Sequence, residues 1–278
     1  MTVGIQVILV LSINVLSRYS RQISLGQAAF AGIGAYISAF LTVHFHVPFW
    51  LSCPLSILAT GALGVGLGLP VLRQVRYYVP VMTLTFNVLV HDWLRAGPLR
   101  DGAFGLGRMP PPELFGSTIS PARYVLLIGL AIISCLVAEA GLRYRILLGQ
   151  HLDERQAETD KPQVSRAGTL FVIGVSTAMA GLAGSLLAHC EGLIGPFDFD
   201  LEASLFILAL AALGGLGSVR AGVLSTALLG GLIESIPLLR AYRFLIVGVV
   251  LLVVGLWWPQ GMINRNRKDR GHRRPWRG

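Results

Sequence analysis

Residues 177–222 read TAMAGLAGSLLAHCEGLIGPFDFDLEASLFILALAALGGLGSVRAG, and this stretch joins an apolar helix, an acidic loop and an interrupted apolar run. Its first part, AGLAGS at 180–185, spaces small residues three and four apart. That spacing allows two membrane helices to bring their backbones close together. The middle places four acidic side chains around Gly195 and Pro196, so we expect this part to contact water.

The last part of the stretch is rich in glycine. Gly214, Gly215 and Gly217 fall within five residues at the end of an apolar run. A membrane helix interrupted in this way points to a translocation site. Glycines that only ease packing or end a helix would give the same pattern, so the sequence leaves both interpretations open.

Composition indicates an integral membrane protein. Of the 278 residues, 54% are hydrophobic and 13% are charged, whereas roughly a quarter are charged in an ordinary soluble domain, and the mean hydropathy is +0.66. Apolar runs recur along the whole chain, and ~17 to 25 residues suffice for one helical span. We predict an all-α, polytopic fold with about 8–10 transmembrane or re-entrant helices. The predicted segments are 3–17, 24–43, 49–72, 78–95, 122–141, 168–188, 203–217, 222–238 and 242–258.

Basic residues predict how the chain is oriented in the membrane. The net charge of +9 does not indicate a nucleic-acid partner, because Lys and Arg are scattered between the apolar runs and then gathered in a tail at 264–278. With this tail in the cytoplasm, 17 of the 23 Lys and Arg residues lie on the cytoplasmic side, as the positive-inside rule requires. We therefore expect the N-terminus outside, the C-terminus in the cytoplasm and membrane lipid around the helices.

Catalytic and metal-binding motifs are missing from the sequence. The three cysteines are far apart and lack metal-ligand spacing. His189, Cys190 and Glu191 are adjacent on a helix and point in different directions, and no second cluster completes a zinc site. The chain lacks a phosphate-binding GxxxxGK[ST] loop, so an ATPase that drives it would be another polypeptide. We predict no catalytic residue, no metal and no cofactor.

Two segments carry further candidates for a translocation pathway. The second segment is unusually thin because it is rich in glycine and alanine, and it contributes Gly26 and Gln27. The fourth has a polar stripe of Thr83, Thr85 and Asn87, in which Thr83 and Asn87 share one helical face. Polar residues in a membrane usually face the bundle interior, although threonine hydroxyls often bond to their own helix.

Two loops are long enough to have functions of their own. The loop 96–121 holds three consecutive prolines at 110–112, which favour a stiff surface for a partner or a substrate entrance. The loop 143–166 is dense in mixed charge, and its apolar residues at 146–148 and 152 are spaced as in a short amphipathic helix parallel to the membrane. An ordinary connecting loop is the alternative for both.

Five blocks resemble a known family in their order and spacing. They are SLGQAAFAGIGAY at 24–36, VMTLTF at 81–86, FVIGVSTAMAGLAGSLLAH at 171–189, ALGGLGSVRAGVLSTALL at 212–229 and YRFLIVGVVLLVVGLWWPQGMI at 242–263. Together they span almost the whole chain. They resemble the LivM-type permease subunit of branched-chain amino-acid ABC importers, a family that also includes permeases for amides and urea.

The resemblance implies a subunit of the bacterial inner membrane that works with several partners. These are a second permease subunit, two cytoplasmic ATP-binding subunits and a periplasmic solute-binding protein. It also implies a single permease domain at 1–263, whose cytoplasmic loop at 142–167 couples it to the ATPase, followed by the basic tail. The candidate coupling residues are Arg143, Arg145, Gly149, Asp153, Glu154, Arg155 and Ala157.

Three functional interpretations stay open. In an importer, the positive end of the broken helix near Gly214 could hold the carboxylate of a zwitterionic solute. An ion-coupled secondary transporter would need ionisable residues within the spans, and only Glu139 and Glu234 qualify. A degenerate, non-transporting scaffold is indicated only by the altered coupling loop, in which Arg145 stands where the family has glycine.

Overall fold

The computed structural model describes the backbone of residues 2–20, 22–72, 74, 78–96, 113–114, 117–118, 121–153 and 166–257. Its helices are α1 (Thr2–Ser20), α2 (Gln27–Phe45), α3 (Phe49–Val71), α4 (Val79–Ala96), α5 (Pro121–Asp153), α6 (Arg166–Glu191), α7 (Leu201–Gly214), α8 (Val219–Ser225), α9 (Gly231–Ser235), α10 (Pro237–Ala241) and α11 (Arg243–Trp257). A 3₁₀ turn at Pro196–Phe199 precedes α7, and a π-helical turn at Thr226–Gly230 joins α8 to α9. Two short antiparallel strands, β1 (Glu113–Leu114) and β2 (Ser117–Thr118), form the described part of the long loop before α5.

Each of the nine predicted apolar segments overlaps a described helix, and the prediction of an all-α polytopic membrane protein is confirmed. Among the described residues, five helices are long and apolar enough to cross a membrane: α1, α2, α3, α6 and the Val125–Tyr144 part of α5. A sixth unit consists of the helical stretches Pro196–Gly214 and Val219–Ser235, between which the chain bends by 117°. We call this unit the bent pair. The two other segments lie on α4 and α11.

Helix α2 lies inside the bundle and runs parallel to α6. Gln27 at the start of α2 donates to Ser176, and Ser38 further along accepts from Ser185, so the partners stay 147 to 149 positions apart. Because the difference in residue number between partners stays nearly constant along the two helices, α2 and α6 run in the same direction. Alternating membrane spans predict the same relation for the second and sixth segments.

Small residues let α2 and α6 approach closely. Gly34 lies against the backbone of Gly181, and a side chain at Gly184 would collide with the carbonyl of Ala31. The small-residue spacing at 180–185 predicted a close helix contact, and α2 is the helix that makes it.

Helix α3 packs antiparallel on this pair. Thr60 lies against Gly181, and Gly64, one turn later on α3, lies against Thr177, one turn earlier on α6. The two glycines make room for the two threonine side chains. These three helices thus meet with little side-chain volume between their backbones, and α1, whose residues from Ile5 to Leu16 are buried, completes the core.

Helix α1 connects this core to the rest of the fold. It runs parallel to α5, because Gly4 faces Ile128 near one end and Arg18 binds Glu139 near the other. It runs antiparallel to the second half of the bent pair. The facing positions, in order along α1, are Gln6 with Gly230, Asn14 with Gly222, and Arg18 with Gly217.

The end of α5 differs from the sequence-based expectation. Residues 146–152 were expected to form a separate amphipathic helix on the membrane surface, but the described backbone continues α5 without a break to Asp153. Continuous helical propensity through 143–153 explains this, since the segment holds one glycine and no proline before Pro162. The rest of that loop, 154–165, lies outside the described residues.

Candidate translocation site

A polar cluster surrounds the backbone just before α2. The amide of Leu25 donates to Oγ1 of Thr83 at 3.0 Å, and the carbonyl of Leu25 accepts from Nδ2 of Asn87 at 3.2 Å. Thr83 and Asn87 are one turn apart on α4, as predicted, and hold this residue from the same face. Gly26 follows directly, and a Cβ atom there would lie 3.1 Å from the carbonyl oxygen of Thr83.

Asn87 extends the cluster to the bent pair. Its Nδ2 also donates to Oγ of Ser204, in the first turn of α7, at 2.7 Å, and the same oxygen accepts from the amide of Ala28 at 3.2 Å. Asn87 is fully buried, and its Oδ1 has no hydrogen-bond partner among the described residues. A buried polar side chain with spare bonding capacity is unusual and marks a functional candidate.

Gln27 joins three helices from the other side of the cluster. Its Nε2 donates to Oγ of Ser176 on α6 at 3.0 Å, and its Oε1 accepts from Oγ of Ser12 on α1 at 3.3 Å. Ser176 in turn donates to the backbone carbonyl of Ser12 at 2.8 Å. Gln27 is 1% exposed, so these bonds satisfy an amide that lies entirely inside the bundle.

A small cavity of about 40 Å³ adjoins the cluster. By the space that one water molecule needs, this volume corresponds to about three waters. Its walls are mostly apolar. The lining residues are Leu16, Gln22, Ser24, Gln27, Phe30, Gly64, Leu67, Gly68, Val71, Val79, Thr83, Ile173 and Thr177.

Four of the predicted pathway residues therefore come together. Gly26, Gln27, Thr83 and Asn87 form what we call the α2–α4 cluster. Thr85 lies apart from it, because its hydroxyl donates to the carbonyl of Val81 on its own helix and its side chain is exposed. Thr85 thus follows the alternative in which a membrane threonine bonds locally.

The three glycines at the break occupy a different place. Gly214 ends α7 where a Cβ atom would lie 2.6 Å from the backbone of Ala221, and Gly215 and Gly217 adopt positive φ angles of 93° and 86°. The amide of Gly217 donates to Oδ1 of Asn14 on α1 at 3.0 Å. None of the three glycines lines the described cavity. A role in carboxylate binding stays a prediction.

The candidate coupling residues lie at and beyond the end of α5. Arg143 has an exposed side chain, and the backbone of Arg145, Gly149 and Asp153 continues the helix. The remaining candidates, Glu154, Arg155 and Ala157, lie outside the described residues.

Two carboxylates inside the spans have partners that the sequence did not reveal. Oε1 of Glu139 accepts from Nη1 of Arg18 and from the hydroxyl of Tyr19, each at 3.0 Å. Oε1 of Glu234 accepts from Nε2 of Gln6 at 3.2 Å. The sequence marks both glutamates as ionisable residues within the spans but does not indicate their partners on α1. Only the packing of α1 against α5 and α9 brings them together.

His189 belongs to a hydroxyl network. Its Nε2 lies 3.3 Å from Oγ1 of Thr42, and its Nδ1 lies 2.9 Å from the carbonyl of Ser185. Ser38 and Ser52 extend the network between α2, α3 and α6. Within the described part of the chain, no group of three or more His, Cys, Asp or Glu residues could hold a metal ion.

These features define a multi-pass helical membrane protein with a buried polar cluster and a broken helix. The family described as "Branched-chain amino acid transport system / permease component" matches residues 1–145. Two similar proteins are both called "High-affinity branched-chain amino acid transport system permease protein LivM", one from Salmonella typhimurium strain LT2 and one from Escherichia coli strain K12. Each is 30% identical to this chain over 291 aligned positions, which cover 95% of the chain and 68% of the relative. No solved structure matches the chain. The chain belongs to this family of permease components.

Proposed function

We propose that this chain is the membrane-spanning permease subunit of an ABC importer that moves branched-chain amino acids, or a similarly small polar solute such as an amide or urea, across the bacterial inner membrane. The observation that carries the proposal is the likeness to permeases called LivM over 95% of the chain. The buried α2–α4 cluster adds polar groups that such a solute could meet inside the membrane.

In the proposed assembly the chain does not hydrolyse ATP itself. It pairs with a second permease subunit, receives solute from a periplasmic binding protein and rests on two cytoplasmic ATP-binding subunits. The C-terminus and the end of α5 lie in the cytoplasm. Residues from Arg143 to Ala157 contact the ATPase, and its ATP-driven movement opens the pathway alternately to either side.

The proposal is tested by ATP-dependent uptake into vesicles. The chain is reconstituted with its partner subunits and binding protein, and labelled leucine, isoleucine, valine, acetamide and urea are offered separately, with and without a protonophore. Uptake of at least one solute should require ATP and persist when the proton gradient is collapsed. Uptake that stops with the protonophore and ignores ATP would favour an ion-coupled carrier. A complex that assembles but whose ATPase no solute stimulates would favour the scaffold interpretation.

A further inference from the structure

Near its candidate coupling end, α5 is joined to α1 by the ion pair between Glu139 and Arg18. Glu139 precedes Arg143 by four residues and therefore lies one helical turn before the first coupling candidate. Its Oε1 receives two donors from α1, the guanidinium of Arg18 and the hydroxyl of Tyr19, at 3.0 Å each. The Arg18 and Glu139 side chains are 29% and 13% exposed, so the pair is largely enclosed and less screened than one in water.

The same turn of α1 contacts the glycine break. A Cβ atom at Gly217 would lie 3.3 Å from Cα of Arg18, so the two backbones are in direct contact. One turn earlier on α1, Oδ1 of Asn14 accepts from the amide of Gly217 at 3.0 Å. The positive φ of Gly217 places that amide outside the regular helical pattern, and Asn14 supplies the acceptor that the helix does not.

Asn14 has capacity for a second arrangement. It is fully buried, and its Nδ2 lies against Gly222 without a hydrogen-bond partner among the described residues. The donor capacity of Nδ2 is therefore unused in the described arrangement. A buried side chain with unused capacity at an interface is a candidate for pairing differently in a second state of that interface.

We propose that the Arg18–Glu139 pair is a positioning contact that passes movement of the cytoplasmic end of α5 to α1 and, through Asn14, to the glycine break of the bent pair. This inference rests on the proposed function, because it presumes that an ATPase moves α5. It assigns the link to α1, a helix that the sequence did not connect with coupling. Charge-assisted hydrogen bonds such as the one from Arg18 are roughly twice as strong as neutral ones, and this carboxylate oxygen accepts a second bond from Tyr19.

The test separates coupling from assembly by a charge exchange. Arg18→Glu, Glu139→Arg and the double exchange are each placed in the full complex, and solute-stimulated ATPase activity and solute moved per ATP hydrolysed are measured. Each single variant should lower solute moved per ATP by about 5- to 150-fold, the usual range for coupling between sites. The double exchange should restore most of the loss, because it rebuilds the pair with opposite polarity.

A matched control lies at the other end of α1. Gln6→Leu removes the hydrogen bond from Nε2 of Gln6 to Oε1 of Glu234, which also joins α1 to the bent pair but lies roughly three helical turns from Arg18. This variant should leave solute moved per ATP within twofold of wild type. If Arg18→Glu fails to assemble, Glu139→Gln takes its place, since it removes the charge and keeps the acceptor oxygen.

Three results would overturn the proposal. One is an unchanged ratio of solute to ATP in the assembled single variants. Another is a loss of uptake in the single variants that is fully accounted for by a smaller amount of assembled complex. The third is a double exchange no better than either single variant. Failure of the proposed function is distinguishable, because then the wild-type complex itself would show no ATP-dependent uptake.

Discussion

Gly184 lies against the carbonyl of Ala31, and only a hydrogen atom fits between the two backbones there. We expect Gly184→Val to destabilise the protein by ~1–3 kcal/mol, because both neighbouring groups are backbone and cannot turn away. The measurement is the thermal midpoint of the purified protein in detergent. Gly66→Ala is the matched control, because nothing lies within 4 Å of a Cβ atom at Gly66, on α3. An equal effect of both changes would contradict the close packing of α2 and α6.

Asn87 and Thr85 offer a second comparison between single residues. Asn87→Leu removes the donors to Leu25 and Ser204 and leaves buried acceptors unpaired, at a cost of about 1–3 kcal/mol. Thr85→Val changes an exposed side chain on the same helix and should be close to neutral. If the α2–α4 cluster serves transport, Asn87→Leu should also reduce the uptake rate per folded molecule. If the Asn87→Leu variant took up solute at the wild-type rate per folded molecule, Asn87 would have only a structural role.

Local spacing predicted part of this site and could not predict the rest. Four-residue spacing placed Thr83 and Asn87 on one face, and glycine content marked Gly26 as close to a neighbour. The partners Ser204 and Ser12 were not predicted, because one serine in an apolar helix most often bonds to its own backbone, as Ser12 also does with Leu9. Which serine faces a distant amide is decided by packing between helices far apart in the chain.

At the scale of the element, the parallel pairing of α2 and α6 can be tested by cross-linking. In a variant with Cys53, Cys135 and Cys190 changed to alanine, Ser38→Cys with Ser185→Cys should form a disulfide, because the two hydroxyl oxygens are 2.8 Å apart. The mismatched pair Ser38→Cys with Ser176→Cys should not, since Ser176 lies nine residues or ~13 Å away along α6. Mass spectrometry of linked peptides reads the result. Linkage of the mismatched pair alone would contradict the register.

The bent pair gives a second test of an element. Gly217→Ala places a Cβ atom on a residue with a φ of 86°, and this strain costs roughly 1–2 kcal/mol. Gly231→Ala lies further along the same unit, in α9, where nothing is within 4 Å of the new atom. The thermal midpoint in detergent should fall for Gly217→Ala and hold or rise for Gly231→Ala. The opposite order would mean that the break does not need a left-handed residue.

The break itself was predicted from Gly214, Gly215 and Gly217, but its neighbour was not. The glycine pattern marks where a helix cannot continue, and this is a local property. That the freed amide of Gly217 meets Asn14 depends on α1, some 200 residues earlier in the chain. The end of α5 shows the converse, since the apolar spacing at 146–152 predicted a separate short helix and the backbone instead continues α5 to Asp153.

For the whole molecule, the distribution of basic residues predicts the orientation. In a cysteine-free variant, Glu202→Cys should react with a membrane-impermeant maleimide added to intact spheroplasts, because the start of α7 is expected on the outer side. Asp269→Cys in the basic tail should react only after the membrane is opened. The reverse pattern would overturn the placement of the C-terminus in the cytoplasm, and with it the assignment of the end of α5 to the ATPase side.

The parallel pairing of α2 and α6 also affects how the chain is made. Ser38 can bond to Ser185 only after Ser185 has been synthesised, 147 residues later. At a synthesis rate of ~5–20 residues per second, the interval between the two residues is roughly 7 to 30 s. During that interval Gln27, Ser38 and Thr42 lack their partners on α6, and lipid cannot replace those hydrogen bonds. The polar side chains of α2 must therefore be kept from lipid by the insertion machinery, or by α1 and α3, until α6 has been synthesised and packs against them. Slow synthesis between α3 and α6 would lengthen the time in which the nascent protein is most exposed to degradation.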